Sequence, residues 1–259
     1  LAEALALHAD AICRPHLSDA EFTPARQLAI EEVLTLDDEP RQKVMLELRK
    51  RFYPTPLGRS TVGEIEELER LTAEQTRTIV RTRFDIGRSI FAVAGKYDFD
   101  AVCKEMESLF GGCERLGPQS IAIGARAGKY THVANEGSQV HIGVMTEAVP
   151  FTDADYYNIR VAASVLSGGM SARLFTEVRE KRGLCYAIAA RYHSLKDAAG
   201  IMCYAGTTPD KAQETLDVVI AEFRRLADGI GQEELEPLIP AVRDKRQLAN
   251  RPNHGKRSH

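Results

Sequence analysis

The sequence predicts an α+β protein of two homologous domains, each a mainly antiparallel sheet with helices packed on one face. Three observations carry that prediction. Both halves mix amphipathic segments of helical period with short apolar or alternating runs bounded by Gly, Pro and Asp. Between them lies "CERLGPQSIAIGARAGKY", residues 113–130, which holds three glycines and one proline and sustains no period. The 259 residues are 44% hydrophobic and 27% charged, an ordinary globular composition long enough to bury a core. The expected layout is therefore residues 1–112 as the later part of an N-terminal domain, 113–130 as linker and 131–259 as a C-terminal domain. The chain opens on Leu1 in mid-pattern, so the N-terminal domain is expected to be incomplete.

Leu1 to Cys13 reads as one amphipathic helix. "TPARQLAIEEVLTL" follows, with Thr23 as expected N-cap and Pro24 at the first helical position. Pro40 opens "PRQKVMLELRKRFY" in the same manner, and a Pro/Gly-punctuated loop leads into the short helix of "GEIEELERL". "TAEQTRTIVRTRF" begins with a Thr-x-x-Gln capping box. "RSIFAVAG" is a short apolar run ending in Gly and reads as a buried strand. "DFDAVCKEMESLFG" reads as a helix stopped by Gly111 and Gly112. In the second half, "SQVHIGVMTEAV" reads as a strand and "DADYYNIRVAASVLSG" as a helix. A strand pair is expected in "CYAIAARYHSLKDAAGIMCYAGTT", then a long helix in "PDKAQETLDVVIAEFRRLADG". A last helix begins in "GQEELEPLIPAVRDK", where Pro237 and Pro240 should disturb it.

Several function classes lose support from the composition. A net charge of −3 and a pI of about 6.2 give no electrostatic basis for nucleic-acid binding. The basic tail "NHGKRSH" reads as a solvated terminus. No apolar run approaches the roughly 20 residues of a membrane span, and no signal peptide is visible. The five cysteines, Cys13, Cys103, Cys113, Cys185 and Cys203, are odd in number and form no C-x-x-C. Free thiols in a reducing compartment are expected, which favours the cytoplasm.

The seven histidines are His8, His16, His132, His141, His193, His254 and His259, and no two stand four apart. The sequence thus holds no H-x-x-x-H and no complete zinc site. There is no G-x-S-x-G and no phosphate-cradling loop, and Cys185 in its apolar run reads as a packed thiol. The most structured stretch is "SGGMSARLFTEVREKRGLCYAIAARY", residues 167–192. Gly168 and Gly169 should start a helix abruptly, and Leu174 and Val178 share one face of a helix from Ser171 to about Arg182. Gly183 ends it, and Tyr186 opens the next strand. A guanidinium from Arg179 and a phenol from Tyr186 aimed at one point would clamp a peptide carbonyl or carboxylate. The alternative is that Arg179 pairs with a neighbouring acid and Tyr186 is core.

That stretch resembles the hallmark of the second domain of the insulinase/pitrilysin-type zinc peptidases, in the branch of bacterial processing-peptidase-like proteins. The family pattern is approximately Leu-Gly-Gly-Gly-Met-Ser-Ser-Arg-Leu-Phe, then Val-Arg-Glu-Lys-Arg-Gly-Leu-x-Tyr. "ARQLAIEEVLTLDDEPRQKVMLELRKRFYPTPLGRSTVGEIEELERLT", "SIFAVAGKYDFDAV" and "QVHIGVMTEAVPFTDADYYNIRVAASVLSGGM" are similar to other family segments.

The resemblance implies a zinc metalloendopeptidase that acts on peptides or unfolded proteins through a metal-activated water. Two His of an H-x-x-E-H motif and a later Glu bind Zn(2+), and the Glu of the motif is the general base. The later Glu, in a pattern like Arg-x-x-apolar-x-x-Glu, falls on Glu32, with Arg26 at the Arg. Glu31 stands about 100° around the helix. Arg179 and Tyr186 match the pair that holds the substrate backbone. Two departures matter. The H-x-x-E-H segment belongs further upstream than the 31 residues preceding Glu32, so this chain alone is expected to be inactive. Ala25 stands where catalytic members usually carry a Glu, which points to a second possibility: a non-catalytic subunit acting in binding or assembly, as a homodimer or as a heterodimer with a family partner. After "EELEPL" the text turns Pro-rich and basic where the family continues, so the C-terminal domain is expected to be truncated or altered.

Overall fold

The structure is a computed structural model that describes residues 1–83, 85–112, 122–125, 130–134, 137–236 and 238. Most of the expected linker, Pro237 and Pro240, and the basic tail lie outside the described residues. The packing divides the chain into two compact units. Among the described residues, one comprises 1–34 and 62–112, the other 35–61 and everything from 122 onward. The expected α+β class, with an antiparallel sheet, is what the chain forms.

The first unit is helical throughout its described regular elements. Helix α1 (Ala2–Cys13) packs on α6 (Phe99–Phe110), burying Leu5, Ala9 and Val102. Helix α2 (Asp19–Thr35) starts one turn earlier than Thr23 and carries Pro24 inside it. The reason is a stronger start signal: Ser18 Oγ accepts from the Glu21 amide at 3.3 Å and donates to Glu21 Oε2 at 2.9 Å. This Ser-x-x-Glu box sets the helix, and Pro24 falls early enough to lose little. Helix α4 (Ile65–Arg70) ends where Arg26 donates to the carbonyls of Glu69 and Leu71 at 3.3 and 3.2 Å, a cation on a helix C-terminus. Helix α5 (Ala73–Arg83) has the expected box, with Thr72 and Gln75 bonded reciprocally at 2.9 and 3.2 Å. The run 88–95, expected as a strand, begins at the end of a 3-10 turn (Ile86–Arg88) and is irregular over 89–94, and Ile90 is 94% exposed. A strand needs a neighbour for its backbone groups, and among the described residues of this unit there is none.

In the second unit, β1 (Val140–Ala148), β2 (Cys185–Ser194) and β3 (Ala199–Thr207) form an antiparallel sheet in the order β1-β3-β2. The central strand "AGIMCYAGT" is buried along its whole length, so both faces need cover. Helix α7 (Tyr156–Ser167) and α8 (Ala212–Ala227) cover one face, around Leu166, Leu174, Val178, Ile201, Cys203 and Val219. Helix α3 (Pro40–Phe52) covers the other, with Val44, Met45 and Leu48 against Met145, Met202 and Tyr204. The sequence reading placed helices on one face only; the apolar residues of β3 at both parities account for the second layer. Tyr53, 1% exposed, fastens the end of α3 through its hydroxyl to His193 Nδ1 at 2.8 Å. Gly143 lets α3 approach, since a Cβ there would lie 2.8 Å from Val44 Cγ1. Gly143→Ala should therefore cost about 1–3 kcal/mol by overpacking, read as a lower urea midpoint at unchanged slope. Helix α9 (Gln232–Leu235) follows α8 in the chain.

Candidate functional site

The stretch that the sequence singled out folds differently from a plain α-helix. Gly168 continues the helical backbone, with φ −87° and ψ −3°. Its glycine is required by space: a Cβ would lie 2.4 Å from the Ser164 carbonyl oxygen. Residues Phe175–Glu180 form a π-helical segment, with the Lys181 amide bonded to the Thr176 carbonyl at 2.9 Å. Wide turns of this kind recur at functional sites. Leu174 and Val178 are fully buried, as their shared face predicts, and Gly183 leaves the segment at φ +58°.

Ionic contacts anchor the segment. Arg173, a buried cation, donates Nε and Nη2 to the two carboxylate oxygens of Glu234 at 2.6 and 2.7 Å, and Nη2 also to the Gly229 carbonyl at 2.9 Å. The Arg173 guanidinium holds Glu234 down at about 2. Glu177 pairs with Lys181 and Arg182, each at 2.7 Å, and these hydrogen bonds hold its carboxyl below the usual range.

Arg179 is exposed, with its guanidinium 4.9 Å from the centre of the Phe175 ring. Among the described residues it forms no ion pair. Its charge reaches Cys185, next to Tyr186. The Cys185 thiol is buried, and burial pushes it up, the reverse of an activated nucleophile. Tyr186 is 46% exposed. It is the extra residue of a β-bulge: Cys185 pairs with Thr207 and Ala187 with Gly206, leaving Tyr186 without a partner in the ladder. Bulges re-aim a side chain in this way.

Tyr186 donates its hydroxyl to Gln139 Oε1 and lies across Gly206. A Cβ on Gly206 would lie 2.6 Å from the Tyr186 hydroxyl and 2.9 Å from that of Tyr204. Tyr204 bonds His141 Nδ1 at 2.8 Å, and Arg41 of α3 sits 5.4 Å from the centre of its ring. Burial, with the neighbouring Tyr186 as the next cause, pushes Tyr204 up to about 12; burial also lowers His141. The sequence reading missed Gln139, His141, Tyr204 and Gly206. Their signal was polar or small residues at alternate positions of two apolar strands, His141 opposite Gly206 in the β1–β3 register.

Glu32 lies exposed near the end of α2, in the first unit, while Arg179 and Tyr186 belong to the second. Among the described residues no three His, Cys, Asp or Glu side chains group to hold a metal ion. The residues described therefore do not make up a zinc site. No helix among them is long and apolar enough to cross a membrane.

Comparison with known proteins gives a consistent result. A protein of Rickettsia bellii named an uncharacterized zinc protease is 24% identical over 253 residues, covering 95% of this chain and 60% of its own length. YmxG of Bacillus subtilis, likewise named an uncharacterized zinc protease, is 28% identical over 242 residues, covering 90% of this chain and 58% of its own. The chain thus spans between half and 60% of the length of the curated relatives it matches. Its fold superposes with a TM-score of 0.80 on a crystal structure of the peptidase M16 inactive domain from Pseudomonas fluorescens, at 23% identity, covering 96% of this chain and 60% of that one. The family model described as the peptidase M16 inactive domain matches residues 70–240, which contain the whole stretch from Ser167 to Tyr192. On that match, spanning well over half of its length, the chain belongs to the insulinase/pitrilysin-type M16 peptidases through the domain described as inactive.

Proposed function

We propose that this chain is part of a zinc metalloendopeptidase and supplies the substrate-holding wall of its cleft. Residues 1–112 then derive from the later part of one peptidase-type domain, with their segment 35–61 packed into the second compact unit, and 131–259 from a second such domain. Glu32 is one metal ligand in the whole protein, and Arg179 and Tyr186 hold the backbone carbonyl of a peptide or unfolded-protein substrate. The observation that carries this reading is the presentation of the pair. An arginine that forms no ion pair among the described residues and a bulge-directed tyrosine are both left exposed, where a structural role would have paired one and buried the other. The naming of relatives as zinc proteases supports the metal and the reaction class. The 259-residue chain alone should cleave no peptide even with added zinc, since one carboxylate does not hold the ion tightly.

The test uses a longer chain carrying an upstream H-x-x-E-H segment. It should bind one zinc and cleave an unstructured peptide, and Glu32→Gln should weaken zinc affinity by at least the roughly 10–100-fold that supporting residues are worth. Full zinc content and activity in Glu32→Gln would overturn the ligand assignment. Ala25 supports a second reading, a non-catalytic subunit that pairs with a copy of itself or with a family partner. Its signature in the same assay is stable assembly without zinc or cleavage.

A further inference from the structure

Strand β2 is an edge of its sheet: β3 pairs with one side of it, and among the described residues no strand pairs with the other. An edge strand turns alternate N–H and C=O groups outward, where one more strand can take them up. Helix α3 lies over β1 and β3. The residue after it, Tyr53, reaches β2, where its hydroxyl bonds His193 Nδ1 at 2.8 Å. That bond brings two cations to the same place. Arg49 stands one turn before Tyr53, whose amide bonds the Arg49 carbonyl at 3.0 Å, so the two side chains share one face. Arg191 stands two residues before His193 and shares its face of β2. It pairs with Met202, whose side chain meets α3, which sets Arg191 on the α3 side of the sheet. Arg191 is exposed and Arg49 half-buried, and neither forms an ion pair among the described residues. Strands β2 and β3 contain no acidic residue. Glu147 of β1 is two strands away, and Glu47 of α3 is taken by Arg51 at 3.1 Å. Burial, and after it the charges of Arg49 and Arg191, lowers His193, with no carboxylate offsetting them. One charged side chain on an edge strand is ordinary protection against stray pairing. A second, brought from another element and left uncompensated, makes the edge attractive to negative charge.

We propose that the outer edge of β2 takes an extended acidic peptide as an added strand, with Arg191 and Arg49 meeting its carboxylates. The inference deepens the proposed function, since it names acidic peptides as the substrate class, and it rests on that reading for the place of Tyr186. Main-chain hydrogen bonds to the edge supply the affinity, and alternate side chains on the α3 side supply the selectivity. A carboxylate directly across from an arginine favours pairing by about 2- to 5-fold. Tyr186 and Arg191 stand five residues apart on β2, roughly 15 Å at about 3.3 Å per residue. The preferred acids therefore lie roughly four to six residues from the carbonyl that Tyr186 holds.

The test is fluorescence anisotropy of the 259-residue chain with fluorescein-labelled, unstructured Ser/Thr peptides of about ten residues, long enough to run from Tyr186 past Arg191. Three carry Glu, Gln or Lys at alternate positions, and a fourth is the Glu peptide N-methylated along its backbone. The Glu peptide should bind at least about 5-fold more tightly than the Gln peptide at low salt, and the difference should shrink at about 1 M NaCl, where exposed charges are screened. The N-methylated peptide keeps the charge but cannot donate to the edge, and it should not bind. Arg191→Glu should reverse the order, so that the Lys peptide binds best. Arg49→Gln should narrow the preference and serves if Arg191→Glu folds poorly, as its thermal midpoint would show. Equal binding of the Glu and Lys peptides to the parent chain, an unchanged order in both variants, or full binding of the N-methylated peptide overturns the inference. So does self-association of the chain that Arg191→Glu abolishes while no peptide binds, which would give the edge to a second copy. Selective binding of the Glu peptide with no cleavage by a longer chain carrying an upstream H-x-x-E-H segment would sink the peptidase reading and leave the edge site standing. Cleavage of the Glu and Lys peptides at equal kcat/KM would sink the edge site alone.

Discussion

Glu234→Gln is expected to destabilise the second unit by about 3 kcal/mol at neutral pH, the lower end of the cost of breaking a buried ion pair. Arg173 explains the size. Its side chain is 6% exposed, and Glu234 meets it with two parallel hydrogen bonds. Removing the carboxylate leaves a buried guanidinium whose nearest compensation is the charge of Glu222 and Asp228. The Nη1 nitrogen of Arg173 is already buried without a hydrogen-bond partner, so little reserve exists to absorb the loss. The cost falls at the lower end because Glu234, at 29% exposed, is itself partly hydrated. Arg173→Met tests the converse. It leaves the more accessible partner alone and replaces the cation by an apolar side chain of similar length, so it should cost less than Glu234→Gln. Urea unfolding of the three proteins gives the order directly, and equal stabilities would show that the pair contributes nothing.

The same pair sets the acid limb. Glu234 sits at about 2 when folded, well under the usual carboxylate value, and hydrogen bonds hold Glu177 low as well. Folding therefore favours their ionised forms. That stability is complete above about pH 5 and fades as pH falls through the unfolded value near 4.3 toward the folded one. Glu222 works in the opposite sense, because burial raises it. Glu234→Gln should thus be less stable than the parent at pH 7 and converge with it near pH 2.

Local signals made much of this fold legible. Thr72 with Gln75, Pro40 and the pair Gly111–Gly112 each act within one turn, and α5, α3 and the end of α6 follow from them. Two starts competed for α2, and Ser18–Glu21 prevailed over Thr23–Pro24. What could not be read is what depends on partners distant in sequence. The run at 89–94 has strand composition, but a strand exists only against a neighbour. Leu174 and Val178 stand four apart, a spacing compatible with both an α and a π turn, so the wide segment was hidden. The bulge at Tyr186 and the opposition of His141 to Gly206 are properties of strand register, which appears only once β3 lies between β1 and β2.

On the proposed function, a longer chain carrying an upstream H-x-x-E-H segment and Arg179→Ala should show kcat/KM lower by about 10²- to 10³-fold, the cost of losing one donor that acts where charge develops on a carbonyl. Arg179 is suited to that task because its guanidinium rests on Phe175 and pairs with no carboxylate among the described residues. Tyr186→Phe removes a single neutral donor and should cost less than Arg179→Ala. If both side chains hold one carbonyl, the double variant should fall little below Arg179→Ala alone, since residues acting as a unit are not additive. Arg179→Lys keeps the charge and loses the planar fork, so partial activity in it measures how far geometry matters beyond charge. Both side chains are exposed, and the unfolding free energy should stay within about 0.5 kcal/mol of the parent. That last measurement discriminates. Activity lost at unchanged stability places the pair on the substrate, whereas stability lost in step with activity would return Arg179 and Tyr186 to the scaffold.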